Sequence, residues 1–175
     1  MGSSIMHVLR IAALVVLVAA GDAAAQQGAS APKPAAGCAS PTARQFDFWI
    51  GVWNVTDPTG KVVGHNRVES ILGGCALAEH WDGNGGVHGN SYNTYDASDR
   101  RWRQFWVDSQ AGVLALEGGL VDGSMVLQSS RPGAHIDRIR WTPNADGSVR
   151  QLWEVSEDAG KTWATSFDGR YLRAP

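Results

Sequence analysis

The chain has 175 residues, 43% of them hydrophobic and 18% charged, with a formal net charge of -2 at pH 7. Acidic and basic residues are interspersed and no Lys/Arg block occurs, so the electrostatic footprint of a nucleic-acid or anionic-membrane partner is missing. The two cysteines lack Cys-x-x-Cys spacing, which removes a thioredoxin-type redox motif.

In chain order, Arg10 precedes an apolar run from Ile11 to Ala20, shorter than the roughly 18 residues a bilayer span needs. Ala23-Ala24-Ala25 follows as a small-residue cleavage site, and residues 1–25 read as a secretory signal peptide. The mature chain then starts near Gln26, in the periplasm or outside the cell, with no membrane span once the peptide is removed. Ala35-Ala36-Gly37-Cys38 resembles a lipoprotein box, but such a box abuts the apolar run and this one is separated from it. Residues 26–41 are Gln, Ala, Gly, Ser and Pro with almost nothing to bury, a flexible leader. Residues 42–175 are enough for one domain with its own core. In an oxidising compartment Cys38 and Cys75 are expected to pair and tie the leader to that domain, two unpaired thiols being the alternative.

From Thr42 to Trp49 the positions of Phe46, Phe48 and Trp49 fit one or two helical turns behind Pro41. Gly51 then lets the backbone turn sharply into a strand. Beyond it, turn residues recur about every ten positions. They fall at Gly60, Gly73-Gly74, Gly83 to Gly86, Asp96 to Asp99, Gly112, Asp122-Gly123, Pro132-Gly133, Asp146-Gly147 and Asp158 to Gly160. The runs between are rich in Val, Ile, Thr, Trp and Tyr and show no sustained helical period. About ten strands joined by tight turns make an antiparallel meander, and closing it as an up-and-down β-barrel removes the open edges. A two-sheet sandwich is the second architecture.

A helical turn leading into Gly51-Val52-Trp53 resembles the Gly-x-Trp signature of the calycin superfamily, the lipocalins and their relatives. The longer pattern is similar to a family of bacterial secreted lipocalin-like domains. It reads Phe46-Asp47-Phe48-Trp49-x-Gly51-x-Trp53, Gly74-Cys75-x-Leu77-x-Glu79-x-Trp81, Asn93-x-Tyr95-Asp96, Trp102-x-Gln104-x-Trp106-Val107-Asp108 and Gln151-x-Trp153-Glu154. The resemblance covers nearly the whole mature domain. It implies a barrel whose base is closed by a short helix, with Trp53 packed beneath the cavity under a basic residue of the last strand, Arg170 or Arg173. It implies no activity.

Because side chains alternate across a strand, the centre of each turn sets a register. Trp81 falls opposite Asn66, Glu79 opposite Val68, and Ser91 opposite Glu79. Across the next turn Asn93 meets Gln104, Tyr95 meets Trp102 and Ser91 meets Trp106. Arg101 and Arg103 occupy the other face and belong in water. The expected interior row is therefore Asn66, Glu79, Trp81, Ser91, Asn93, Tyr95, Trp102, Gln104 and Trp106. Burying an amide without a partner costs roughly 1–3 kcal/mol, so such a row implies a polar network or a wet cavity. Aromatic walls with a few convergent polar groups suit a small-molecule pocket, and a closed barrel whose polar groups satisfy one another is the alternative. A two-residue loop at Asp146-Gly147 would set Arg140 opposite Trp153 and Thr142 opposite Gln151. Either face of that hairpin could be internal: with Arg138, Arg140, Gln151 and Trp153 inside, an Arg would offset Glu79, whereas with them outside Trp141 and Leu152 are core.

Ser156-x-Asp158-x-Gly160-x-Thr162-Trp163 matches the Asp-box turn of sialidases and related propellers. A propeller needs several copies and this chain has one, so the motif reads as structural. The histidines show no metal-ligand spacing and no metal site is expected. No cofactor is expected either; among calycin relatives that hold haem through one histidine, only His88 or His135 could serve here. Glu79 with Ser91, Asn93 and Gln104 is the one constellation with acid-base potential.

Three readings result. The first is an exported, noncatalytic barrel that stacks a partly polar aromatic or amphipathic molecule on Trp81, Trp106 and Trp153, with Glu79, Asn93 and Gln104 at its polar end. The second is an enzyme using Glu79 as acid or base, and the third is a structural or interaction module of the envelope. Oligomeric state and ligand identity are not encoded in any motif.

Overall fold

In a computed structural model, residues 38–131 and 133–175 are described; the expected signal peptide and most of the expected leader lie outside them. Ten strands follow one another: β1 (Gly51–Thr56), β2 (Val62–Ile71), β3 (Ala76–Gly83), β4 (His88–Asp96), β5 (Arg101–Asp108), β6 (Val113–Val121), β7 (Ser124–Ser129), β8 (Ile136–Pro143), β9 (Val149–Ser156) and β10 (Ala164–Arg173). Each pairs antiparallel with its neighbour in sequence, and β1 also pairs with β10, so the sheet closes into a barrel with no free edge. The two-sheet sandwich is thereby ruled out.

Alternation fills the interior. On β2, Gly64, Asn66 and Val68 are buried while His65, Arg67 and Glu69 face water; on β4, Ser91 and Asn93 are buried between exposed Asn90, Tyr92 and Thr94. The expected registers hold for Asn66 with Trp81, Val68 with Glu79, Glu79 with Ser91, Ser91 with Trp106, Asn93 with Gln104 and Tyr95 with Trp102.

The β8–β9 hairpin differs from the expectation. The Gly147 N–H donates to the Asn144 carbonyl at 3.0 Å, Asn144 N–H to Ser148 at 2.8 Å, and Gly147 has φ 79°. This is a three-residue loop, a turn followed by a left-handed glycine, in place of a two-residue one. The extra loop residue slips the register by one and exchanges the faces. Trp141 now pairs with Gln151 and Ile139 with Trp153, whereas Arg138 pairs with Glu154 and Arg140 with Leu152. Trp141 and Ile139 are core.

One end of the barrel is plugged by two 3-10 turns, Thr42–Arg44 and Asp47–Trp49. Phe46 stacks on Trp49 with ring centroids 5.0 Å apart and meets Trp102 and Trp141 edge-on. The Trp53 indole N–H donates to the Trp49 carbonyl at 3.0 Å, and the Arg173 guanidinium lies 3.9 Å above the Trp53 ring while donating to the Ile50 carbonyl. Gly51 makes room for this: a Cβ there would fall 1.9 Å from Arg173 Nη1, at a φ of 153°. Of the two basic residues expected over Trp53, Arg173 is the one in place; Arg170 instead pairs with Asp146. The Cys38–Cys75 disulfide and a hydrogen bond from Arg44 to the Gly74 carbonyl hold the first turn and the segment before it against the β2–β3 connection. A disulfide fits a chain that matures in an oxidising compartment. No helix among the described residues is long and apolar enough to cross a membrane.

Candidate functional site

Inside the barrel lies a cavity of about 140 Å³. Trp141 and Tyr171 line it and also rest on Trp49 of the plug, so they form its floor. Val87 and Asp108, beside the β3–β4 and β5–β6 connections, mark the opposite end. Trp81, Trp106, Trp153 and Phe167 make the walls, with Trp81 and Phe167 meeting at 82° and centroids 6.0 Å apart. Two glycines let indoles lie against the barrel wall. A Cβ on Gly89 would fall 2.1 Å from the Trp106 ring, and one on Gly64 would fall 2.6 Å from Trp81.

A buried polar chain runs behind these rings. Gln104 Nε2 donates to Asn93 Oδ1 at 2.9 Å, Asn93 Nδ2 to Ser91 Oγ at 2.9 Å, and Ser91 Oγ to Glu79 Oε2 at 2.6 Å. From the other side Asn66 Nδ2 donates to Glu79 Oε1 at 2.7 Å. The chain continues from Asn66 to the Tyr171 hydroxyl at 3.4 Å, which donates to Gln151 Oε1 at 2.5 Å; Trp141 Nε1 donates to that same oxygen at 2.9 Å. Asn66 Oδ1 is buried without a partner.

Burial raises the pKa of Glu79 from 4.5 to about 7, against the lowering effect of Ser91 and Asn66. Burial, together with the Glu79 charge, pushes Tyr171 well above its usual value of 10. Asp108 is held below the ordinary carboxylate range, first by the Gly112 backbone N–H, and it accepts the Trp106 indole N–H at 3.1 Å.

Of the residues anticipated for the site, Glu79, Trp81, Gln104, Trp106, Gln151 and Trp153 line the cavity. Asn66, Ser91 and Asn93 are buried behind it in the polar chain, and Tyr95 packs against Trp102 with centroids 6.1 Å apart. Arg138 does not belong to the cavity. The register slip turns it outward, where it donates to Glu154 at 3.0 Å and lies 3.7 Å over the Trp163 ring. Nor do His88 and His135 reach the cavity: His88 faces Asp82 at the surface, and His135 sits between Glu157 and Asp137, which raise its pKa. Among the described residues no group of three or more His, Cys, Asp or Glu is placed to hold a metal ion.

Trp141, Tyr171, Phe167 and Asp108 line the cavity without having been anticipated there. Trp141 follows once the β8–β9 loop is read with three residues. Phe167 reaches inward through a register shift between Thr165 and Phe167, a bulge that alternation does not foresee. The Asp-box turn is self-tied: Asp158 Oδ1 accepts Lys161 and Thr162 N–H at 2.9 and 2.8 Å, and Ser156 Oγ accepts Gly160 N–H at 2.8 Å. The bonds that Asp158 itself accepts, led by that of the Thr162 N–H, lower its pKa to about 2.

The fold and the site together define a closed, ten-stranded antiparallel barrel around an aromatic cavity with one buried carboxylate. No protein-family model matches the chain, and no curated protein is significantly similar to it.

Proposed function

We propose that the chain is an exported, noncatalytic barrel of the calycin type that binds a small, partly polar molecule in the cavity. The observation that carries this is the cavity wall itself: indoles and a phenyl ring with a buried carboxylate and two amides among them, the composition of a small-molecule site. The volume of about 140 Å³ is close to that of an apolar cavity known to take up benzene, about 150 Å³. The single-ring or compact headgroup stacks on Trp81, Trp106 and Trp153, with Gln104, Gln151 and Glu79 at its polar end. The plug, with Trp53 under Arg173 and Gly51 making room, supports the calycin reading, and the disulfide supports export to the periplasm or beyond.

Native mass spectrometry of the protein purified from its own host, followed by titration with benzamide, phenol and indole while tryptophan emission is recorded, tests this. A retained small molecule or saturable quenching is expected, weakened about tenfold by Trp106→Ala through the lost stacking. An empty protein that ignores every probe would leave a packed structural or interaction module.

The proton affinity of Glu79 near neutrality favours one second reading, a general acid or base. Its two oxygens, however, each already accept a hydrogen bond, and the other titratable groups of the cavity, Tyr171 and Asp108, are shifted away from neutrality. A bound molecule that is turned over by the wild type and not by Glu79→Gln would establish the catalytic reading.

A further inference from the structure

We infer that the ligand enters the cavity as a compact organic cation, a methylated or quaternary ammonium group held by the aromatic walls and balanced by Glu79 and Asp108. This rests on the binding function proposed above and names the chemical class that the site selects.

The lining carries two carboxylates and no Lys, Arg or His. Neither Glu79 nor Asp108 takes part in an ion pair among the described residues, although most charged side chains on the outer surface do, including Arg138 with Glu154 and Arg150 with Asp168. An anionic ligand would therefore meet only like charge. Burial of Glu79 without a cation favours its protonated form, and a cation arriving with the ligand would supply the charge that favours the carboxylate.

The rings favour a cation of a particular kind. Trp106, Trp141 and Trp153 commit their indole N–H groups to Asp108, Gln151 and Asp137. What they leave for the cavity is ring carbon and π density in place of donors. Such faces attract a cation electrostatically, and indole does so best of the aromatic side chains. A primary ammonium demands several acceptors for its N–H groups, whereas each added methyl removes one and a quaternary ammonium demands none, which fits a wall that is mostly ring. The hydrogen bonds behind Glu79 agree in direction: Ser91 and Asn66 both donate to its oxygens, and Asn93 and Gln104 donate in series toward Ser91. That polarity supports a carboxylate anion, the form a bound cation would call for.

Calorimetric titration of the mature protein with choline and with its uncharged carbon isostere, 3,3-dimethylbutan-1-ol, isolates the charge at constant shape. Choline is expected to bind at least about tenfold tighter. Binding should strengthen from about pH 6 to 8 as Glu79 loses its proton, and Glu79→Gln should reduce the preference and abolish that pH dependence. The histidines lie outside the lining, and Tyr171 and Asp108 are shifted away from this interval, so the variant separates Glu79 from all of them. Equal or tighter binding of the isostere overturns the inference. If benzamide, phenol or indole bind and choline does not, the inference falls while the binding function stands. If no probe binds, both fall. The wild-type comparison needs no variant to fold.

Discussion

Glu79 is a carboxyl group whose folded environment prefers the proton. Its pKa rises from 4.5 to about 7, so the folded state binds the proton more tightly than the unfolded chain does. The resulting stability is fully present below the unfolded pKa and is lost as pH rises through the folded one. The loss is about 3 kcal/mol at most, at 1.36 kcal/mol per pKa unit. Urea unfolding at a series of pH values should therefore show the wild type losing stability between about pH 5 and 7 relative to Glu79→Gln, whose curve should lack this component. His135, whose pKa is also raised, titrates equally in both proteins and cancels in the difference. At this scale the sequence was informative. Asn66, Glu79, Ser91, Asn93 and Gln104 fall inside because the β2 to β5 turns are centred where their Gly and Asp residues suggest, and alternation does the rest.

Between residues and molecule, turns decide which faces are wet. The β8–β9 loop shows how sharply: one more residue in the loop exchanges Arg138 for Trp141 at the cavity. Asp-Gly is compatible with both loop lengths, and only the hydrogen bonds of Asn144 and Gly147 separate them. The Asp-box turn is legible by contrast, since its Ser, Asp and Thr bond within the loop itself. The Cys38–Cys75 link is the element whose removal is most readily measured. It joins residues 37 apart in sequence, and on the chain-entropy account Cys75→Ser should lower unfolding free energy by about 4 kcal/mol. Denaturant titration with and without a reductant checks this, and a wild type equally stable when reduced would contradict it.

For the molecule as a whole, the decisive pairing is between the first and last strands. Trp53 lies beside Arg173 and Val55 beside Tyr171, contacts of very long sequence separation, the kind that slow folding. Deleting β10, residues 164–173, would expose the edges of β1 and β9 and remove Tyr171 from the cavity floor. Its far-UV circular dichroism should show no cooperative unfolding transition in urea; a retained sharp transition would mean the remaining strands fold alone. The barrel was legible because its turns recur so evenly. The full cavity was not, because Trp141, Phe167 and Tyr171 meet Trp81 and Trp106 only on closure, and no single hairpin contains that juxtaposition.

Gly89 and Gly64 sit in that closed wall with indoles laid across their α-carbons. The room inside the cavity is thus set partly by two absent methyl groups, on the backbone side of the rings. Adding either methyl would tip an indole into the void and narrow it without replacing any side chain that lines the cavity. The size of the cavity is accordingly adjustable from behind the wall, independently of the charge and hydrogen bonding that face inward.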